Sequence, residues 1–362
     1  MSLNKLDCYG VSERFLGEAS LYPAFELGRV ISQYRKLYKI ITNKGEVFAE
    51  VSGKFRYEIR YLCDYPAVGD FVMLDQAKEQ SGNRMIHNVL TRKSSFERTS
   101  VGAKDQTQVV AANIDYIFIC MSLNLDYNLR RLERYLSIAW NSGATPVIIL
   151  TKSDLCINIE QKLIEMDQVA IGVDVIVASG MEGDSYLQLL KYFKRGVTAS
   201  FIGSSGVGKS TLINRLAGKE ILLTSEIGKD DKGRHTTTHR ELIPLPQGGV
   251  VIDTPGMREL GVDSVDLAKA FADLEKLAES CRFKDCSHKD EPGCAVRDAI
   301  EKGEVDRKRL ESYHKLKKEA RYDGLTSKQI ETEKLNSMFQ EFGGMKNARK
   351  YIKKHNKRSI KY

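Results

Sequence analysis

Three observations on the sequence predict a multidomain chain: β at the N-terminus, α/β in the middle and helical at the C-terminus. Short runs that alternate apolar and polar residues fill residues 25–95. Apolar runs of strand length then alternate with helical patterns up to residue 260. Three cysteines and a histidine crowd into "CRFKDCSHKDEPGC", at the head of a mostly helical remainder. The chain of 362 residues is long enough for such a division.

The β part rests on "LGRVISQYRKLYKIIT" and "GEVFAEVSG", which flank the hairpin signal "NKG", and on "PAVGDFVML" and "MIHNVLTR". About five short strands predict a small barrel; an OB-like barrel is the commonest solution, and SH3-like barrels share the pattern. Tyr34, Arg35, Lys36, Tyr38, Lys39, Phe55, Arg56 and Tyr57 interleave aromatic and basic types, as stacking and phosphate contacts for RNA would. Pattern alone fits buried aromatics and ordinary surface cations slightly better. "TRKSSFERTSVGAKDQTQ" is polar with little periodicity and reads as a linker. The expected boundaries are an N-terminal extension (1–24), the barrel (25–95), the linker (96–111), the α/β domain (112–262) and the helical domain with a basic tail (263–362).

In the middle, "IDYIFICM", "TPVIIL", "DVIVAS", "TASFIG" and "GVVIDT" are the strands, with "LRRLERYLSIAWNSG" and "SYLQLLKYFKRG" as helices between them. A doubly wound, mainly parallel sheet follows, and ligands bind at the carboxyl ends of such strands. "GSSGVGKST" fits a phosphate loop at Gly203, Ser204, Ser205, Gly206, Val207, Gly208, Lys209, Ser210 and Thr211, between a strand and a helix. Its glycines let backbone N–H groups face phosphates, and the helix N-terminus favours anions. Lys209 would reach the β- and γ-phosphates, and the Ser210 hydroxyl would ligate Mg²⁺. "DTPG" follows the last strand: Asp253 is placed as a second carboxylate for Mg²⁺ and the Gly256 N–H for the γ-phosphate.

"TKSD", ending at Asp154, follows "TPVIIL". A carboxylate here accepts two hydrogen bonds from guanine and leaves adenine without a partner. Lys152 would lie along the base. Thr151 stands where asparagine is commoner, and so lacks the amide that usually braces this loop. "VASG", with Ala178 and Ser179, follows the next strand and could contact the base oxygen. The order is thus base reader, base backer, phosphate loop, "DTPG": a circular permutation of the usual arrangement. Between the last two lies the polar "GKDDKGRHTTTHREL". Thr237, ahead of Thr236 and Thr238, is the candidate Mg²⁺ ligand and γ-phosphate sensor. Met257 occupies the position where glutamine often orients water, so His235 is the candidate catalytic residue. The alternative is that Arg234, His235 and His239 simply make the loop basic for RNA.

Cys281, Cys286, His288 and Cys294 give C-x₄-C-x-H-x₅-C, a donor set for one structural Zn²⁺, against the alternative of reduced cysteines in a helical domain. No run approaches the roughly 20 apolar residues of a membrane span, so no membrane partner is expected. "MSLNKLDCYGVSERF" lacks the features of a signal peptide, which makes the cytoplasm the expected location. The net charge of +8 suits a polyanionic partner, and "MKNARKYIKKHNKRSIKY" carries no acid.

Together the barrel, the permuted order, "GRHTTT" and "CRFKDCSHKDEPGCAV" resemble the bacterial ribosome small-subunit-dependent GTPase A family over nearly the whole chain. The resemblance implies an N-terminal OB fold, a central α/β circularly permuted P-loop GTPase and a C-terminal helical zinc-binding domain. It implies GTP and GDP as ligands, Mg²⁺ with GTP, and one zinc ion. It also implies binding to the 30S subunit and its 16S rRNA late in maturation, and hydrolysis stimulated by that subunit. The family's catalytic histidine falls on His235 and its zinc ligands on Cys281, Cys286, His288 and Cys294. A monomer is expected. The alternative is an RNA-binding assembly factor that uses GTP as a binding switch on another rRNA target.

Overall fold

The computed structural model describes residues 5–76, 83–99, 107–124, 126–179, 185–204, 206–222, 241–253 and 270–321. Five strands form the N-terminal barrel: β1 (Glu26–Tyr34), β2 (Leu37–Thr42), β3 (Gly45–Val51), β4 (Phe71–Leu74) and β5 (Arg84–Val89). The run read as one long strand is two, turned at Arg35 and Lys36. The "NKG" signal is a tight hairpin in which the Thr42 hydroxyl accepts from the Lys44 N–H and donates to the Gly45 carbonyl. β3 pairs parallel with β5, β5 antiparallel with β4, and β4 returns to β1. This closure is the OB-type one that strand patterns alone left open. Val30, Ile40, Ala49, Val72, Leu74 and Ile86 fill the barrel.

Of the interleaved aromatics, Tyr38 is core, at 3% exposure, whereas Tyr57 stands 92% exposed. The core reading therefore holds at Tyr38, while Tyr57 stays at the surface.

The first residues are not a bare extension. Helices α1 (Lys5–Cys8) and α2 (Glu13–Ala19) bury Leu6 and Phe15, and the Phe15 ring stacks on Phe71 at 4.1 Å between centroids. A third short helix, α3 (Gly53–Glu58), follows β3 and is capped by the Ser52 hydroxyl, which accepts from the Phe55 N–H. The linker stretch is also more regular than its sequence suggests. β6 (Ser95–Thr99) pairs antiparallel with β7 (Thr107–Ala112), and Phe96 is buried.

The α/β part runs β8 (Tyr116–Ser122), α4 (Leu129–Asn141), β9 (Thr145–Thr151), α5 (Ile159–Asp167), β10 (Asp174–Val177), β11 (Thr198–Ile202), α6 (Lys209–Ala217), β12 (Glu241–Pro244) and β13 (Val250–Asp253). "SYLQLLKYF" forms a 3₁₀ helix over Ser185–Tyr192 rather than an α-helix, burying Leu189 and Tyr192. β10, β9, β8, β11 and β13 are parallel in that order, and β12 adds antiparallel to β13. Alternate residues of each strand face opposite helical layers. Ile117, Ile119 and Ile148 pack with Leu132 and Leu136 of α4, while Phe118, Val147 and Phe201 pack with Leu212 and Leu216 of α6.

β12 also pairs with β1, at Ser32 and Glu241, so the barrel and the α/β sheet form one eleven-stranded sheet. A bulge between Val30 and Ser32 lets β1 serve both. Arg29 lies at this junction with no exposed surface. Its guanidinium donates to the Gly69 carbonyl (3.1 Å), the Tyr9 carbonyl and the Thr198 hydroxyl (2.8 Å), and stacks over Phe71.

Among the described residues of the C-terminal part are the helices α7 (Ala272–Ala278), α8 (Ala295–Glu301) and α9 (Arg307–Arg321). Phe271, Leu274, Val296, Leu310, Tyr313 and Leu316 form its core. Among the described residues no helix is long and apolar enough to cross a membrane.

Candidate nucleotide site and metal centre

The phosphate-loop sequence turns between β11 and α6. Gly203 (φ 141°) sits against β8 so closely that a Cβ would lie 2.2 Å from the Cys120 carbonyl oxygen. Gly206 and Gly208 also take left-handed φ, at 71° and 102°. Gly208 is the N-cap of α6, so Lys209, Ser210 and Thr211 occupy its first turn, where N–H groups have no helical partner. The Lys209 ammonium curls back and donates to the carbonyls of Gly203 (2.8 Å) and Ser204 (2.6 Å). Asp253 ends the neighbouring strand β13. Burial pushes its carboxyl above the usual range, and the Lys209 charge pulls it back. A buried carboxylate beside a lysine at a phosphate loop suits a hydrated cation.

The "TKSD" turn lies at the same sheet edge. The Thr151 hydroxyl donates to the Val207 carbonyl inside the phosphate loop at 2.6 Å. The threonine therefore does not leave the loop without a brace, as its lack of an amide suggested; the hydroxyl reaches because β9 and the loop pack closely. Lys152 holds a left-handed conformation (φ 56°), uncommon outside glycine and a mark of a constrained turn. Asp154 is exposed and accepts a hydrogen bond from the Ser179 hydroxyl at 2.9 Å. Ala178 is tied to β9 by its N–H to the Leu150 carbonyl, and the Ser179 N–H donates to the Ser185 hydroxyl. The segments expected to read and to back the base thus touch, and the phosphate loop is one hydrogen bond away. Ser205, His235, Thr237 and Gly256 lie outside the described residues.

Cys281, Cys286, His288 and Cys294 present ligand atoms all within 4.8 Å of one another. His288 Nδ1 is 3.7 Å from Cys281 Sγ and 3.4 Å from Cys294 Sγ, and the two sulfurs are 3.9 Å apart. Sulfurs around a tetrahedral Zn²⁺ stand roughly 3.8 Å apart, so the donor set and its spacing fit that ion. Burial, then charge from Lys317, holds His288 below its usual pKa, which favours the neutral imidazole a metal needs. Burial, with the neighbouring thiols, pushes the Cys286 thiol up to about 11, a cost that a bound dication reverses.

A residue that sequence reasoning did not single out shapes this loop. The Glu291 carboxylate accepts the N–H groups of Ser287 (2.9 Å), Lys289 (2.9 Å) and Asp290 (3.1 Å), together with the Ser287 hydroxyl. The side-chain bond from Ser287 leads the effects that hold Glu291 down to about 2. An acid immediately ahead of the Pro-Gly turn, three residues before Cys294, carries no sequence signal of this role.

The RsgA GTPase family description matches residues 89–263. Small ribosomal subunit biogenesis GTPase RsgA 2 of Lactiplantibacillus plantarum is 48% identical over 354 residues, covering 98% of each chain. RsgA 1 of Listeria innocua is 43% identical over 320 residues, 88% of this chain and 90% of that one. Among solved structures, YjeQ from Thermotoga maritima superposes with a TM-score of 0.60 at 26% identity, over 82% of this chain and 98% of its own. The fold of YloQ, described as a circularly permuted GTPase, matches with a TM-score of 0.57.

Proposed function

The chain belongs to the RsgA GTPase family, and from that premise we propose that it hydrolyses GTP to GDP and phosphate on the small ribosomal subunit. In this reading it acts late in 30S maturation, as a cytoplasmic monomer, and the subunit stimulates its turnover. The names of its relatives, small ribosomal subunit biogenesis GTPases, support the partner. The observation that carries the nucleotide is the pair of hydrogen bonds Thr151–Val207 and Asp154–Ser179, which unites base-reading and phosphate-binding loops despite their permuted order.

The Asp154 carboxylate accepts from guanine, with Lys152 along the base and the backbone at Ala178 and Ser179 facing its oxygen. The N–H groups from Gly203 to Thr211 and the Lys209 ammonium hold the phosphates. Lys209 exchanges its present carbonyl partners for phosphate oxygens. Ser210, Asp253 and Thr237 would hold Mg²⁺, which when bound neutralises developing phosphate charge. His235 orients the water for in-line attack on the γ-phosphorus, once the protein is bound to the subunit. Cys281, Cys286, His288 and Cys294 would hold a structural Zn²⁺ that pins the C-terminal helices. The barrel (25–95) and C-terminal module (263–362) grip 16S rRNA on either side of the GTPase domain (112–262), joined through residues 96–111.

Two measurements test this. The protein loaded with a non-hydrolysable GTP analogue should co-sediment with 30S and not 50S subunits, with affinity falling steeply with salt. His235→Ala should lose roughly 10²-fold or more of the stimulated hydrolysis while retaining GTP affinity. Preference for 50S subunits overturns the partner, and undiminished hydrolysis overturns the role of His235.

A further inference from the structure

Of the four residues in the metal cluster, His288 alone holds a left-handed backbone, at φ 59°. Residues with a side chain rarely keep that conformation unaided. The cysteines are placed by ordinary structure. Cys281 follows α7, with its N–H on the Ala278 carbonyl at 3.1 Å, and Cys294 is the residue on which α8 begins. Cys286 closes a turn, its N–H donating to the Phe283 carbonyl at 3.3 Å. His288 is buried on no helix, yet its Nδ1 stands 3.7 Å from Cys281 Sγ and 3.4 Å from Cys294 Sγ.

The Glu291 carboxylate supplies the restraint. Its Oε1 accepts from the Ser287 N–H (2.9 Å) and the Ser287 hydroxyl. Its Oε2 accepts from the N–H groups of Lys289 (2.9 Å) and Asp290 (3.1 Å). The amide between them, that of His288, bonds Cys286 instead. The consecutive amides 287 to 290 therefore converge on one carboxylate and one thiol. Ser287, Lys289 and Asp290 are exposed, so water could satisfy their N–H groups. What the carboxylate adds is direction. A run of amides closes around an anion only over a narrow range of backbone angles, and here the anion belongs to the chain. Each carboxylate oxygen takes a pair of donors, which a side-chain amide with its single acceptor oxygen cannot do.

We propose that Glu291 is a positioning residue for the metal: it fixes the left-handed turn at His288 and so sets how tightly the cluster holds Zn²⁺. The proposal rests on the reading of the cluster as a zinc site. Loss of a group that orients a metal ligand from behind weakens metal binding by roughly 10- to 100-fold.

The test challenges the full-length, zinc-loaded chain with a chromophoric chelator. Glu291→Gln keeps the shape and turns a donor toward one pair of donors, and its zinc affinity should fall by roughly 10-fold or more. Glu291→Asp keeps the charge but falls one methylene short of the amides, and should weaken zinc to a similar degree. Cobalt substitution reads the histidine itself. In Glu291→Gln the thiolate-to-cobalt charge transfer should persist while the d–d bands shift as His288 loosens. Native zinc affinity in Glu291→Gln overturns the proposal, as do d–d bands unchanged from those of the native chain. Native affinity in Glu291→Asp also overturns it, because the effect would then be one of charge. If the charge-transfer band is lost altogether, Ser287→Ala carries the test. It removes a single donor without touching the carboxylate and should weaken zinc severalfold; unchanged affinity there overturns the proposal. A native chain that holds no zinc overturns the reading of the cluster instead.

Discussion

The Thr151 hydroxyl donates to the Val207 carbonyl at 2.6 Å, joining the turn that opens "TKSD" to the middle of the phosphate loop. The bond holds the two halves of the nucleotide pocket at a fixed separation before any ligand arrives. Thr151→Val keeps the shape and removes the donor, leaving a buried carbonyl without this partner. Guanine-nucleotide affinity should fall by about 1 kcal/mol, roughly fivefold. Thr151→Asn restores a donor and should recover most of it. Titration with a fluorescent GDP analogue measures both, and equal affinity in Thr151→Val would sink the bracing role.

Base specificity is predicted to turn on one atom of Asp154. Its Oδ1 already accepts from the Ser179 hydroxyl at 2.9 Å. In Asp154→Asn the amide oxygen keeps that bond, which aims the amide N–H₂ at the base. Guanine then meets a donor where it needs an acceptor, and GTP affinity should fall by roughly 10²-fold. Xanthine carries an oxygen at that position, so XTP should compete better than GTP for the variant. Competition binding decides it; unchanged preference for GTP removes Asp154 from the base site.

What the sequence revealed and what it hid divide along physical lines. Gly203, Gly208, Lys209 and the cysteine cluster were legible because each answers a local requirement: a left-handed backbone, a close approach, a soft ligand at short spacing. The same holds for the strands from β8 to β11, whose apolar runs are the burial itself. Arg29 was not legible. In "LGRVIS" it takes the polar place of an alternating strand, yet it is fully buried because acceptors from three distant segments meet there. Pairing of β1 with β12 joins residues some 200 positions apart, which no local pattern encodes. Arg309 sits in "RKRLESYHKLKK", which reads as a solvated helix face until Glu133 and Asp273 are placed against it.

The junction at Arg29 yields a stability prediction. Burial pulls its pKa down to about 10, so it remains charged at neutral pH and needs its acceptors. Arg29→Met strips a hydrogen bond from Gly69, Tyr9 and Thr198 together. The loss should be about 2–4 kcal/mol in chemical denaturation. Arg29→Lys should rescue little, because one ammonium cannot reach acceptors on three elements. Nucleotide affinity should barely change, since Thr198 opens β11 at the end opposite the phosphate loop. Full stability in Arg29→Met would mean that β1 and β12 hold the barrel and the sheet together unaided.

Acid sensitivity of the C-terminal helices should trace in part to His314. Its Nε2 is buried with no partner among the described residues. Burial, and then the charges of His288, Lys289 and Lys317, hold its pKa below the ordinary 6.5. For a base lowered in the folded state the sign is fixed. Above 6.5 both folded and unfolded chains leave it neutral, and stability is at its full value. As pH falls through 6.5 the unfolded chain takes up a proton that the folded chain refuses, so stability drops until the folded value is reached. His314→Leu removes the titration. Melting curves at saturating zinc, from about pH 8 to about pH 5.5, should show a shallower loss of melting temperature in the variant than in the native chain. The cysteine and histidine cluster titrates in both proteins, so the difference between the two slopes reads His314 together with its coupling to His288. Parallel slopes would show that its burial carries no proton-linked cost.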